Sequence, residues 1–209
     1  MKYGDVTMGQ IEAAINKLGG LSGWRALLRD ELEIKPKPLL FPKNEHGHYL
    51  VEVTGRALTG AAEIQLQSEQ NFRVGDYARQ CFLSTNPDSY DAKHRLEDGK
   101  IYRLAIVHGR EVKMNRTTAN LRAYAQQFGY QKPLAGHIPR IRESVTDQQM
   151  EQMNIWYIAG LHDPIADSVG VPDVLVAYRG GGGSWLDAAW GRPALGWDDR
   201  GAFAFVVPN

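Results

Sequence analysis

"RGGGGSWLDAAWGRPALGWDDRGAFAFVVPN", residues 179–209, is the stretch on which the reading of this chain turns. It contains four consecutive glycines, Gly180 to Gly183, and three of the protein's five tryptophans, Trp185, Trp190 and Trp197. "SWLDAAW" and "GAFAFVV" are short runs of small, aromatic and branched residues bounded by glycine, the pattern of strands. A glycine run raises the question of a phosphate loop. No Lys-Ser/Thr follows it, no GxGxxG spacing is present, and the residues after it open a strand, with no helix N-terminus to hold an anion. The run predicts a hairpin connection, and the segment as a whole a loop-rich display held between fixed strands.

Outward from that segment, "DVLVAYR" at 173–179 and "IWYIAGL" at 155–161 have the continuous apolar character of buried strands. "VTDQQMEQM" predicts a short helix capped by Thr146, and "HIPRIRE" at 137–143 an edge strand, since Pro139 cannot donate to a ladder. Before residue 134 helical and strand patterns alternate. Thr7 and Gln10 form a capping box for a helix carrying Ile11, Ala14, Ile15 and Leu18 on one face. Ser22 caps a second, with Trp24, Leu27, Leu28 and Leu32 as its buried stripe, before an extended "KPKP" exit. "HGHYLVEVTG" and "KIYRLAIVHG" read as strands. Thr59 starts a helix, and "VGDYARQCFLS" and "TTANLRAYAQQFGY" form two more. The expected fold class is α+β: a helical and α+β unit over 1–133, then a strand- and loop-rich half over 134–209, with a soft boundary near "QKPLAG" that leaves a single fused domain open.

Composition narrows the partner. Lys plus Arg and Asp plus Glu number 24 each, so no net field draws the chain to a nucleic-acid backbone or an anionic membrane. The expected partner is a protein or other macromolecule recognised by shape and local chemistry, with no cofactor. The single cysteine, Cys81, precludes an internal disulfide and reads as a small apolar core residue. The opening residues lack a leader's apolar run and no stretch is long enough to span a bilayer, so a cytoplasmic location is expected, or export by another route.

Candidate chemistry is sparse. "EHGH" (Glu45, His46, His48) lacks a third metal ligand at useful spacing, and Asp198 with Asp199 fall short of a calcium shell unless Asp187 or a loop carboxylate joins them. "LHDPIADS" sets His162 and Asp163 directly after a buried strand, as a hydrolase would need, yet the chain has no GxSxG elbow. Both residues are expected to pin their loop by side-chain to backbone bonds. A hydrolase built on that loop stays open as an alternative, as does an assembly protein whose last strand pairs with a neighbouring copy.

The order strand, "RGGGGSW", irregular polar and aromatic stretch, then "GAFAFVV" resembles the end of C-type-lectin-like domains of the formylglycine-generating-enzyme type. Among these are the variable proteins of diversity-generating retroelements, in bacteria and phages. The final strand departs from that pattern in carrying Ala202 before Phe203 and no following arginine. "GQIEAAINKLGGLSGWRALLRDEL" and "MNIWYIAGLHDPIADSVGVPDVL" are similar to a group of uncharacterised bacterial proteins common in metagenomic sequence. The lectin-like resemblance implies a framework of Trp185, Leu186, Pro193, Trp197, Phe203 and Phe205. It implies ligand-binding positions at Tyr178, Arg179, Ser184, Asp187, Ala189, Trp190, Gly191, Arg192, Ala194, Leu195, Asp198, Asp199 and Arg200. The function it implies is non-catalytic ligand binding by a variable, aromatic-rich surface.

Overall fold

The structure, a computed structural model, describes residues 6–32, 40–113, 115–194 and 196–208. The chain forms two compact units, Met1–Pro38 and Leu39–Asn209. In the first, α1 (Met8–Lys17) carries the Thr7/Gln10 capping box and α2 (Leu21–Leu28) follows a glycine turn. Ser22 does not cap α2. Gly20, at φ +82°, is its N-cap, and the Ser22 hydroxyl donates to the Gly19 carbonyl. The expected stripe of α2 is not buried either, and Leu28 is 66% exposed.

The second unit is an α+β fold on one mixed sheet. Its elements are β1 (Tyr49–Thr54), α3 (Gly60–Glu69), β2 (Arg73–Val74), α4 (Asp76–Leu83), β3 (Ile101–His108) and α5 (Thr118–Gln126). Then come α6 (His137–Ser144), α7 (Asp147–Gln152), β4 (Tyr157–Gly160), β5 (Ile165–Ala166), β6 (Pro172–Gly180), β7 (Gly183–Trp190) and β8 (Gly201–Val206). The strand order is β1-β3-β8-β4-β6-β7-β2, with β5 against β6. β8 lies antiparallel to β3 and parallel to β4, and β2 lies parallel to β7. Strands from both sides of residue 134 thus share the sheet, and a division at 133/134 would cut it; the compact units part at 38/39.

Residues 137–143 are helical, not an edge strand. Pro139 sits in the first turn of α6, where its missing N–H would have had no intrahelical partner. Helical spacing then buries Ile138 and Ile141 fully. One face of the sheet, with Val51, Leu104, Leu175 and Leu186, packs against α3, α4, α6 and α7. The other, with Ala105, Val176, Phe203 and Phe205, is covered over part of its width by Leu121 and Ala125 of α5 and by Trp197.

Candidate functional site

Side chains alternate across a strand, so each residue of β6 and β7 belongs to one face. Tyr178 pairs with Trp185, Val176 with Asp187 and Val174 with Ala189, all on the α5 side; Tyr157 of β4 continues the first row. Trp197 closes the β3/β8 half of this face. Its indole N–H donates to Thr118 Oγ1 at 2.9 Å and its ring meets Phe203 edge-on at 5.6 Å. Over β4, β6 and β7 no helix follows among the described residues. There a hollow of about 340 Å³ opens, with Trp156, Tyr157, Tyr178, Asp187, Ala189 and Asp198 in its lining. The aromatic walls are braced. Tyr178 stacks on Trp185 at 5.7 Å and 10°, Arg73 lies 5.3 Å from that indole, and Arg179 lies 5.2 Å from Trp156.

The polar groups of the hollow are held from outside it. The Tyr157 ring lies over Gly201, where a Cβ would fall 2.1 Å from it, and burial pushes its phenol well above the usual tyrosine range. Burial also raises the Asp187 carboxyl, against hydrogen bonds from the backbone of Ala188 and Ala78. Ala78 lies in the first turn of α4, whose own N-cap is Gly75 and supplies no side chain, so Asp187 closes that helix end from β7. Gly75 is required by the approach: a Cβ there would sit 2.2 Å from Asp187 Oδ1. Asp198 accepts from the Arg200 backbone at 2.9 Å and pairs with its guanidinium at 3.0 Å.

Of the thirteen positions read from the closing segment, Tyr178, Asp187, Ala189 and Asp198 meet in this hollow. The others do not join them there, and alternation explains the first three. Arg179, Ser184 and Trp190 fall on the α4 side, where Ser184 donates to Asp147 of α7 at 2.9 Å. Gly191 is buried against Pro164 and Val174. Arg192, Ala194, Asp199 and Arg200 are exposed outside it, and Leu195 lies outside the described residues. In the framework, Leu186, Trp197, Phe203 and Phe205 are buried as expected. Trp185 is only half-buried, and Pro193 is exposed while its carbonyl takes the Ala119 N–H at 3.1 Å. Trp156 and Tyr157, which line the hollow, lay in a run read only as buried strand.

His162 is fully buried. Its Nε2 accepts the Leu175 N–H at 2.9 Å, so Nδ1 carries the proton and donates to the Asp163 carbonyl at 2.7 Å. Desolvation, reinforced by His94, depresses its pKa to about 3. Both nitrogens are therefore committed to backbone, and no hydroxyl is among its partners. Asp163 instead holds Lys132 at 2.6 Å. His48 is likewise enclosed, between the Tyr130 hydroxyl at 2.9 Å and Glu111 at 2.8 Å. Among the described residues no group of three His, Cys, Asp or Glu could hold a metal ion, and no helix is long and apolar enough to cross a membrane. The geometry therefore defines an α+β protein with one open, aromatic-walled sheet face. Comparison with protein-family models, curated proteins and solved structures finds no match to the chain.

Proposed function

We infer that this protein is a non-catalytic binding protein, and that the open half of its sheet recognises a macromolecular ligand. One observation carries this reading. Aromatic and carboxylate side chains from β4, β6, β7 and the loop before β8 converge on a hollow floored by hydrogen-bonded strands of one sheet. Rigid aromatics supply contact area at small entropic cost, and Asp198 at the rim supplies polarity. In this reading the protein works as the lectin-like variable proteins it resembles would, a fixed scaffold presenting side chains that set the partner.

The test is selection of a random-peptide library on the immobilised protein, followed by titration of the peptides obtained. The double variant Trp156→Ala/Tyr178→Ala should keep its fold and lose at least about tenfold in affinity, roughly one good aromatic contact. Peptides that bind the variant equally well, or that compete with nothing on this face, would refute it.

A further inference from the structure

On the opposite side of β7, at the sheet edge, lies a second hollow of about 400 Å³, lined by Tyr77, Asp173, Ala188, Ala189 and Trp190. Asp173 and Trp190 are register partners on β6 and β7, and Tyr77 comes from α4. The two rings are exposed, 57% each, whereas Asp173 between them is only 2% exposed. Its carboxylate has neither a hydrogen bond nor an ion pair among the described residues. That is unusual, because a buried carboxylate is ordinarily paired, and leaving it unpaired is costly. Asp167 and Asp187 add to the negative potential at Asp173, and none of the lining residues is basic. Asp167 is itself occupied, accepting from the backbone of Val169 and Val171 at 2.9 and 2.7 Å.

An unpaired buried carboxylate beneath two exposed aromatic rings is the chemistry that receives an organic cation. The carboxylate neutralises the charge, and ring faces attract it through their quadrupole. The Trp190 ring already has a cation beside it, the Arg192 guanidinium at 5.8 Å. Arg192 is exposed, does not line the hollow and has no ion pair with Asp173 among the described residues.

We propose that the Tyr77/Asp173/Trp190 hollow is a binding site for an alkylammonium group, such as a lysine-type side chain on the protein's ligand. This rests on the reading of the protein as a binding scaffold, and it names the chemistry of one anchor. The site accounts for keeping an acid at 173 where the strand would otherwise carry an apolar or amide residue.

The test is a titration of the full chain with n-butylammonium chloride, following the Trp190 indole N–H resonance, with n-butanol and sodium chloride as controls. A fragment-sized cation binds in the millimolar range, so the titration runs to about 100 mM. The expected result is a saturable shift with butylammonium alone, weakened at least tenfold in Asp173→Asn and severalfold in Tyr77→Ala. Arg192→Ala should bind as well as the wild type or better. Tyr77 is exposed, so its variant keeps the test intact if Asp173→Asn perturbs the fold. A shift that never saturates, or that n-butanol reproduces, would overturn the proposal, as would one that Tyr77→Ala and a folded Asp173→Asn leave unchanged. Failure here with selected peptides still lost from Trp156→Ala/Tyr178→Ala would remove only the cation site. Loss of the peptide result with a saturable ammonium shift would remove only the wider reading.

Discussion

Asp173 holds its proton more tightly than a free carboxyl, with a pKa pushed up to about 6 by burial first and then by Asp167 and Asp187. A raised carboxyl contributes its stability below its unfolded value near 4, and that contribution is lost as pH rises through about 6. At neutral pH the charged group thus costs the fold stability. Asp173→Asn should therefore be more stable than the wild type by roughly 1–3 kcal/mol near pH 7.5, the gain fading to nothing near pH 4. Urea unfolding at several pH values measures it, and a destabilised variant at neutral pH would contradict the linkage. His162 and His137 have the opposite sign. Burial lowers them to about 3 and about 4, so their stability is present above the ordinary histidine range and lost as acid protonates the unfolded chain. Stability should fall from about pH 6.5 toward pH 4, and His162→Ala should cost about 2–4 kcal/mol by orphaning the Leu175 N–H and opening a cavity. The loop-pinning role of His162 was legible in its place after a buried strand. The significance of Asp173 was not, because a lone aspartate in "PDVLVAYR" gives no sign of whether folding will supply a partner.

Among the elements, β7 illustrates how far pattern reaches. Its strand character follows from "SWLDAAW" alone, but alternation divides the candidate positions on β6 and β7 between two faces, with Tyr178, Asp187 and Ala189 on one and Arg179, Ser184 and Trp190 on the other. The helix α6 was hidden by a proline that is harmless in a first turn. Trp156 and Tyr157 were missed because periodicity marks a strand without saying which part of its face a helix will leave bare. The two tryptophans that flank the loop make the contrast measurable. Trp197→Ala removes a buried ring with its bond to Thr118 and should cost about 3–5 kcal/mol, whereas Trp190→Ala should stay within about 0.5 kcal/mol. Thermal or urea unfolding of the pair decides it; equal losses would mean that the surface and the core are not separable here.

For the molecule as a whole, the closing strand is central to the sheet. β8 is paired along both edges, so it has none free for a neighbouring copy, which removes the physical basis for assembly through a tail strand. Deleting residues 202–209 should abolish cooperative unfolding, as circular dichroism would register, because it splits β3 from β4 and strips Phe203 and Phe205 from the core. The mixture of helices and strands was evident in the sequence. The insertion of the last strand between β3 and β4 was not, since that pairing joins residues about a hundred positions apart at one edge and uses a parallel register at the other, neither of which leaves a local mark. In the proposed function the open face binds while the sheet beneath it carries the stability. The most direct test is to measure, on the same samples, the melting temperature and the selected-peptide affinity of Trp156→Ala/Tyr178→Ala. Melting within a few degrees of the wild type with binding lost at least about tenfold is the predicted result. Unchanged binding, or melting that falls as far as in Trp197→Ala, would contradict it.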